Sequence, residues 1–472
     1  MKRISFILLM LTGTMSVFAQ SELTLPFMGN IFQNTYLNPS VQTEHAVSIG
    51  LPVLSSLQFQ VISNGFVPRR FMSISGNTLR ISPNNLESQL RNRNLLYASV
   101  GIDLLHVKIR YLNWDIWYGV RQNQQVSLFY PKSLFSFAIA GNEQYKDVPM
   151  DLTPLGFNGS MYREHTVGAS TQRGKWVFGG RVSLLHGLTN AYLNPKKITV
   201  AVTDDMYSMS ADADAVLKTS GLPGDSLANI NFNQFGVFDE TNISSFSEFR
   251  EFMRTNYTAN YFSRFRNPGF ALSGGASYKY DSRFTFSFAF SDLGFISWSD
   301  STKFFSIKGA SEFKGVDMLA EMLTGGELST DTLINDIVSN FETDENHEGG
   351  YATWLHTKFY LSATYQLAER THLNASLYGV VNRRLYPALT VGINQGLGRI
   401  FSVSLSASMN QRTVSNIGFG ILVKPGPFQL YLVADNVYSP LVDPLTFTNM
   451  NVRMGLNIVF GWVKKPQGLP YN

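Results

Sequence analysis

Phe284, Phe286, Phe288 and Phe290 alternate with Thr285, Ser287, Ala289 and Ser291. Only a β-strand turns that period of two into one greasy face and one small or polar face. The pattern returns in Phe401, Val403, Leu405, Ala407 and Met409 against Ser402, Ser404, Ser406 and Ser408, and in Ile417, Phe419, Ile421 and Val423 against Gly418 and Gly420. It continues in Phe428, Leu430, Leu432 and Ala434 against Gln429, Tyr431 and Asp435. It ends in Val452, Met454, Leu456, Ile458 and Phe460 against Asn451, Arg453, Gly455 and Asn457. A chain written this way is all-β.

A soluble sandwich alternates too, so strand length and connections must decide. Membrane-barrel strands need about 9 to 11 residues and are joined alternately by tight periplasmic turns and longer outer loops. Counted back from Phe460, tight turns fall at 424–427, 397–399, 368–370, 281–282, 173–174 and 112–114. Between and beyond them lie connections at 438–448, 411–413, 383–386, 292–354, 189–267, 130–158 and 65–94. The long ones, 65–94, 130–158, 189–267 and 292–354, all fall on the same side. This predicts a transmembrane antiparallel β-barrel of about 14 strands, within a range of 12 to 16, with both ends periplasmic. Leu104 and Leu105 are consecutive apolar residues that shift the phase of one strand by one, which predicts a β-bulge there. The alternative, a soluble secreted β-sandwich, requires the Phe284–Phe290 face to be buried against a second sheet.

Composition fits a lipid-facing wall. Charged residues make up 15% of the chain, against about 25% for a typical soluble domain, while aromatic residues reach 13%. After residue 19 no run of about 18 apolar residues could cross a bilayer as a helix. The absence of cysteine excludes disulfide scaffolds, thiolate metal sites and cysteine nucleophiles. Lys2 and Arg3, the apolar stretch from Ile4 to Leu11, and Val17-Phe18-Ala19 read as a secretory signal peptide over residues 1–19, with no cysteine near the cleavage point to take a lipid. Its removal leaves 38 − 2 = 36 basic against 34 acidic residues, a balance with no nucleic-acid footprint.

The parity that sends Ile109 and Val120 outward places Lys108, Arg110, Asp115, Arg121, Arg181, Asp435 and Arg453 in the lumen, because a basic side chain on the lipid face costs about 2–4 kcal/mol at mid-bilayer. Their mixed signs favour pairing that holds an internal segment over a charged path. In the outer connections, Ser245 and Glu248 form a capping box before Phe249, Phe252 and Met253. Pro131 and Gly141 bracket a short helix over 134–140, and 330–341 carries a helical apolar stripe. The 292–354 connection holds twelve acids and three lysines, a solvated acidic loop without the ligand spacing of a calcium site.

No residue is assigned a catalytic, cofactor-binding or metal-binding role, and no cofactor is required. His372, Asn374 and Ser376 share one strand face and are the residue types of an outer-membrane phospholipase. Side chains two apart on a strand nevertheless stand about 6.6 Å apart, too far for proton transfer without a second strand.

Several short motifs carry a resemblance across nearly the whole chain: Asn34-Thr-Tyr-Leu-Asn-Pro-Ser40, Asn267-Pro-Gly-Phe270, Ser291-Asp-Leu-Gly-Phe-Ile-Ser-Trp298, Asp435-Asn-Val-Tyr-Ser-Pro440, and Gly-Leu-Asn-Ile-Val-Phe ending at Phe460. They resemble an uncharacterised Bacteroidota outer-membrane barrel family, FadL-like and similar to the PorP/SprF and PorV barrels of type IX secretion. The resemblance implies an N-terminal hatch folded into the lumen, with Asn38 and Pro39 as its turn where FadL-like proteins carry Asn-Pro-Ala; Ser40 departs from that pattern.

The expected organisation is a signal peptide (1–19), a hatch segment (20–44), the barrel (45–462) with helical outer loops, and a periplasmic tail (463–472). The expected function is a non-enzymatic outer-membrane protein, either a plugged or narrow transport conduit or a subunit of a surface secretion or adhesion assembly. A phospholipase-type outer-membrane hydrolase is the enzymatic alternative. Expected partners are outer-membrane lipid, the barrel-assembly machinery, and surface or secretion proteins bound through the outer loops.

Overall fold

The computed structural model describes residues 22–75, 78–140, 145–146, 148–202, 208–221, 266–314, 342–346, 349–382, 384–398, 400–409, 416–436, 444–446 and 449–462. Among them, fourteen strands line one wall. They are β1 (His45–Gly50 and Leu57–Ser63), β2 (Asn94–Tyr111), β3 (Trp114–Tyr130), β4 (Gly156–Arg173), β5 (Trp176–Leu193), β6 (Asn267–Lys279) and β7 (Phe284–Trp298). The wall continues with β8 (Tyr351–Trp354 and Thr357–Ala368), β9 (Thr371–Asn382), β10 (Arg384–Leu397), β11 (Phe401–Met409), β12 (Asn416–Val423), β13 (Phe428–Asp435) and β14 (Asn449–Trp462).

Each strand pairs antiparallel with the next, and β14 returns to β1, with Val47 opposite Phe460 and Phe59 opposite Val452. The ring is closed. Closure leaves no sheet edge with unpaired amides, the condition for crossing hydrocarbon, and it overturns the sandwich alternative.

The alternation explains which side faces lipid. Phe286 and Phe288 are 46% and 50% exposed on the outside, whereas Ala289 and Ser291 are fully buried inside. Phe286→Arg is therefore expected to lower the yield of folded barrel, by an amount corresponding to about 2–4 kcal/mol near the midplane, while Phe286→Leu leaves it unchanged. Heat-modifiable migration on a gel reads the difference, and equal folded fractions for the two variants would refute the facing.

Among the described strands, register shifts interrupt the wall at four places. The predicted slip beside Leu104 is present as a register shift between Asp103 and Leu105. A second, not foreseen, lies in β7 at Asp292, whose φ is +62° opposite a shift between Leu272 and Gly274. It returns Leu293 and Phe295 to the outside, so β7 runs on to Trp298 instead of ending at Ser291. The outer connection placed at 292–354 accordingly begins at residue 299, and that placed at 189–267 begins after Leu193.

The outer connections also need correction in kind. Ser208–Ser220 pairs with Lys303–Lys314 over their length, flanked by Lys197–Val202 and Glu342–Asn346. These described parts are an extension of the sheet rather than helical caps. Their sequence contains the reason: Met209, Ala211, Ala213, Ala215 and Leu217 alternate with Ser210, Asp212 and Asp214, a period of two at low hydrophobicity. Helices do occur at α1 (Pro83–Gln89) and α2 (Lys132–Ala140), the latter starting after Pro131 as the sequence implies. Gly141, the 245–253 capping box, the 330–341 stripe, the signal peptide and the 463–472 tail lie outside the described residues.

Candidate functional site: an occluded lumen with an outer pocket

The lumen is occupied by the chain's own residues 22–44. This segment forms two short 3-10 turns, Leu25–Phe27 and Phe32–Tyr36, too brief to stand alone. The wall supplies what they lack. Leu23, Leu25, Met28, Ile31 and Leu37 pack with the inward side chains Tyr360, Tyr378, Leu422, Tyr431 and Val433. The Asp435 carboxylate accepts from the Leu23 and Thr24 amides at 3.0 and 2.9 Å and from the Thr24 hydroxyl at 2.5 Å.

Small inward residues make the room. A Cβ on Gly179 would stand 2.0 Å from the Pro39 carbonyl oxygen, and one on Gly275 would stand 2.1 Å from Asn38 Oδ1. Asn38 Oδ1 accepts from the Ser40 amide at 2.9 Å and the Ser40 hydroxyl at 2.7 Å, an Asx turn. Ser40 Oγ in turn meets Ser277 Oγ at 2.7 Å.

Of the seven charges named from the sequence, six make contacts that fall into three groups. At the periplasmic end, Lys108 Nζ donates to Thr43 Oγ1 at 2.7 Å and to the His45 carbonyl at 2.6 Å, and lies 3.2 Å from Asp115. Arg110 forks onto the same Asp115 and donates to the Thr43 carbonyl at 2.9 Å. Deeper in, Arg453 is wholly buried and donates to Glu22 at 2.5 Å, Ser56 Oγ at 2.6 Å and Gln58 Oε1 at 2.7 Å. Arg121 also donates to Gln58 and lies 3.8 Å from Asp103. Arg181 donates to Asp292 at 2.5 Å and to Ser273 Oγ at 3.0 Å. Asp435 stands apart from these ion pairs and binds the start of the internal segment.

Tyr36 joins the groups. Its ring has the guanidinium carbons of Arg121, Arg453 and Arg181 at 5.1, 5.6 and 5.9 Å from its centroid, within cation–π range. Its hydroxyl donates to Asp103 at 2.6 Å. Burial, ahead of the Asp103 charge, pushes the phenol well above its ordinary pKa, so it stays a neutral donor.

Above Tyr36, on the outer side, a cavity opens with about 870 Å³ of space counting its mouth. Glu22, Tyr36 and Leu37 form its floor; Arg121, Glu164, Arg181, Asp292 and Lys358 give its walls charges of both signs, and Tyr97, Tyr162 and Tyr378 add aromatic faces. Lys358 Nζ lies 3.0 Å from Asp292, which also holds Arg181.

Sequence reasoning missed Glu22, Asp103, Glu164, Asp292 and Lys358. Lys358 was legible, since the outward Phe359 and Leu361 place it inside. Asp103 and Asp292 were masked by the bulges beside them. His372, Asn374 and Ser376 all face inward, but Asn374 Oδ1, the group that would orient the histidine, accepts from Thr364 Oγ1 at 2.9 Å instead.

Residues 39–435 match a family described as one of unknown function, DUF5723. The chain belongs to this family. Solved structures similar to this DUF5723 protein include the P. putida toluene transporter TodX, at 9% identity over 90% of this chain and 92% of that one with a TM-score of 0.41. The Ralstonia pickettii toluene transporter TbuX is 8% identical over 94% and 97% with a TM-score of 0.42. A Pseudomonas aeruginosa FadL homologue is 10% identical over 95% and 100% with a TM-score of 0.40. No curated protein matches the DUF5723 sequence.

Proposed function

We propose that this chain is a non-enzymatic outer-membrane conduit, closed in the present state by residues 22–44, whose outer pocket takes small polar solutes carrying both charges. The observation that supports this reading is a lumen filled by a segment joined covalently to β1, beneath a cavity lined by cations, carboxylates and tyrosines. Such a lining solvates a zwitterion by replacing its water shell with paired charges, and it penalises an apolar cargo that must strip those charges of water. In this reading residues 1–19 direct export and are removed, the barrel-assembly machinery inserts the chain, and the host is Gram-negative and Bacteroidota-like.

The absence of cysteine makes a direct test available. Thr24 Oγ1 and Ser406 Oγ stand 2.7 Å apart, so Thr24→Cys with Ser406→Cys can be oxidised to tie the segment to the wall. Proteoliposomes carrying the double variant should swell in a Lys-Glu dipeptide when reduced and cease to do so when oxidised. Equal swelling in both states would show that solute passage does not require the segment to move; no swelling by reduced or wild-type protein would remove the conduit.

A second reading, a subunit of a surface secretion or adhesion assembly of the type IX kind, is favoured by one feature. The paired strands Ser208–Ser220 and Lys303–Lys314 carry the sheet beyond the rim, as a platform for a protein partner.

A further inference from the structure

The Tyr36 ring sits where guanidinium groups from three separate wall strands converge. Arg121 of β3, Arg453 of β14 and Arg181 of β5 bring their guanidinium carbons to 5.1, 5.6 and 5.9 Å from the one ring centroid. The negative face of an aromatic ring attracts each of them. Arg121 and Arg453 approach each other closely as well, since both donate to Gln58 Oε1.

Carboxylates offset these cations from two different sources. Arg121 has Asp103 at 3.8 Å; Arg181 has Asp292 at 2.5 Å and Glu164 at 4.0 Å; and Asp292 also has Lys358 at 3.0 Å. All of those carboxylates stand on wall strands, β2, β4 and β7. The carboxylate bonded to Arg453 is Glu22, which belongs to the internal segment. In this set of ion pairs the wall therefore supplies four cations and three carboxylates, and the segment supplies the fourth carboxylate. Glu22 and Tyr36 also form the floor of the outer cavity, and Arg453, held by Glu22, is wholly buried while that floor is in place. A segment that withdraws takes the ring and one negative charge with it. The wall is left with a net positive charge and three guanidinium groups around the vacated space.

We propose, on the conduit reading, that Arg121, Arg181 and Arg453 form an anion-binding constriction in the open state, taking the carboxylate of a passing solute where the Tyr36 ring lies in the closed one. A guanidinium presents paired N–H donors that match the two oxygens of a carboxylate, and arginines arranged around a pore favour anions over cations. Among small polar solutes, those of net negative charge are then the preferred cargo. Glu22 serves as the counter-charge that the closed state needs and the open state gives up to the solute.

The test uses the full-length protein in planar bilayers under a potassium chloride gradient. The zero-current potential of its openings is expected to show chloride several-fold more permeable than potassium. Glu-Glu dipeptide is expected to lower the chloride current at a concentration where Lys-Lys dipeptide does not. Arg453→Lys keeps the charge and should keep the preference, Arg453→Gln should lose most of it, and Lys196→Gln, at the exposed start of the sheet extension, should leave it unchanged. An absence of openings removes the conduit reading and the constriction with it. Openings that are unselective or favour potassium overturn the constriction alone, without recourse to any variant. Equal block by the two dipeptides overturns carboxylate recognition, and an unchanged preference in Arg453→Gln overturns the place given to Arg453.

Discussion

Deletion of residues 22–40 is expected to convert the closed barrel into an open pore. The fourteen-strand ring closes through β14 and β1 without using this segment, so the wall should still assemble. An eight-stranded barrel is filled by its own side chains and one of sixteen to eighteen strands leaves an aqueous channel; a fourteen-stranded lumen needs a separate filling, and here residues 22–44 provide it. Val41–Glu44 remain in the variant, so Thr43 keeps its bonds to Lys108 and Arg110. Asp435 and Arg453 lose their partners in the segment but keep Asn451, Ser56 and Gln58 and gain water, which limits the cost of exposing them. Single-channel recordings in planar bilayers should show a several-fold rise over wild type, toward the conductance of an unobstructed lumen. A correctly folded deletion variant with unchanged conductance would mean that something other than this segment closes the barrel.

The wall was legible from the sequence because its physics is local. A period of two with four phenylalanines on one face admits one regular structure, and tight turns such as Asp281-Ser282 and Arg173-Gly174 mark where it reverses. The same parity located Arg453 and Asp435 inside, since the cost of charge in lipid acts on each strand independently. What escaped was non-local or phase-dependent. The Asp292 bulge adds a residue where Ser291 and Asp292 are both polar, so nothing in the alternation marks the slip, unlike the apolar pair Leu104-Leu105. The inward glycines and serines read as a polar lumen; Gly179 and Gly275 are small because Pro39 and Asn38 pass against them. That reason lies about 140 and 240 residues away in the chain, beyond the reach of any local pattern.

The pair Glu22 and Arg453 should carry the second large effect. Arg453 is wholly buried, Glu22 nearly so, and the guanidinium holds the carboxylate at 2.5 Å through Nε while also donating to Ser56 and Gln58. Arg453→Met leaves a buried carboxylate without the guanidinium that is hydrogen-bonded to it, and breaking a buried pair in this way typically costs about 3–5 kcal/mol. Much of that cost should appear locally, because Glu22 can escape to water by unseating the segment that begins at it. Amide exchange across 22–40 should accelerate strongly in Arg453→Met while exchange in β9 and β10 stays slow. Glu22→Gln combined with Arg453→Met removes both charges and should restore much of the protection, since two neutral groups of similar size no longer demand pairing. If the double variant instead exchanges as fast as the sum of its single changes requires, the two residues do not act as a pair, and the segment is held by its apolar contacts with Tyr378, Leu422 and Val433 rather than by this ion pair.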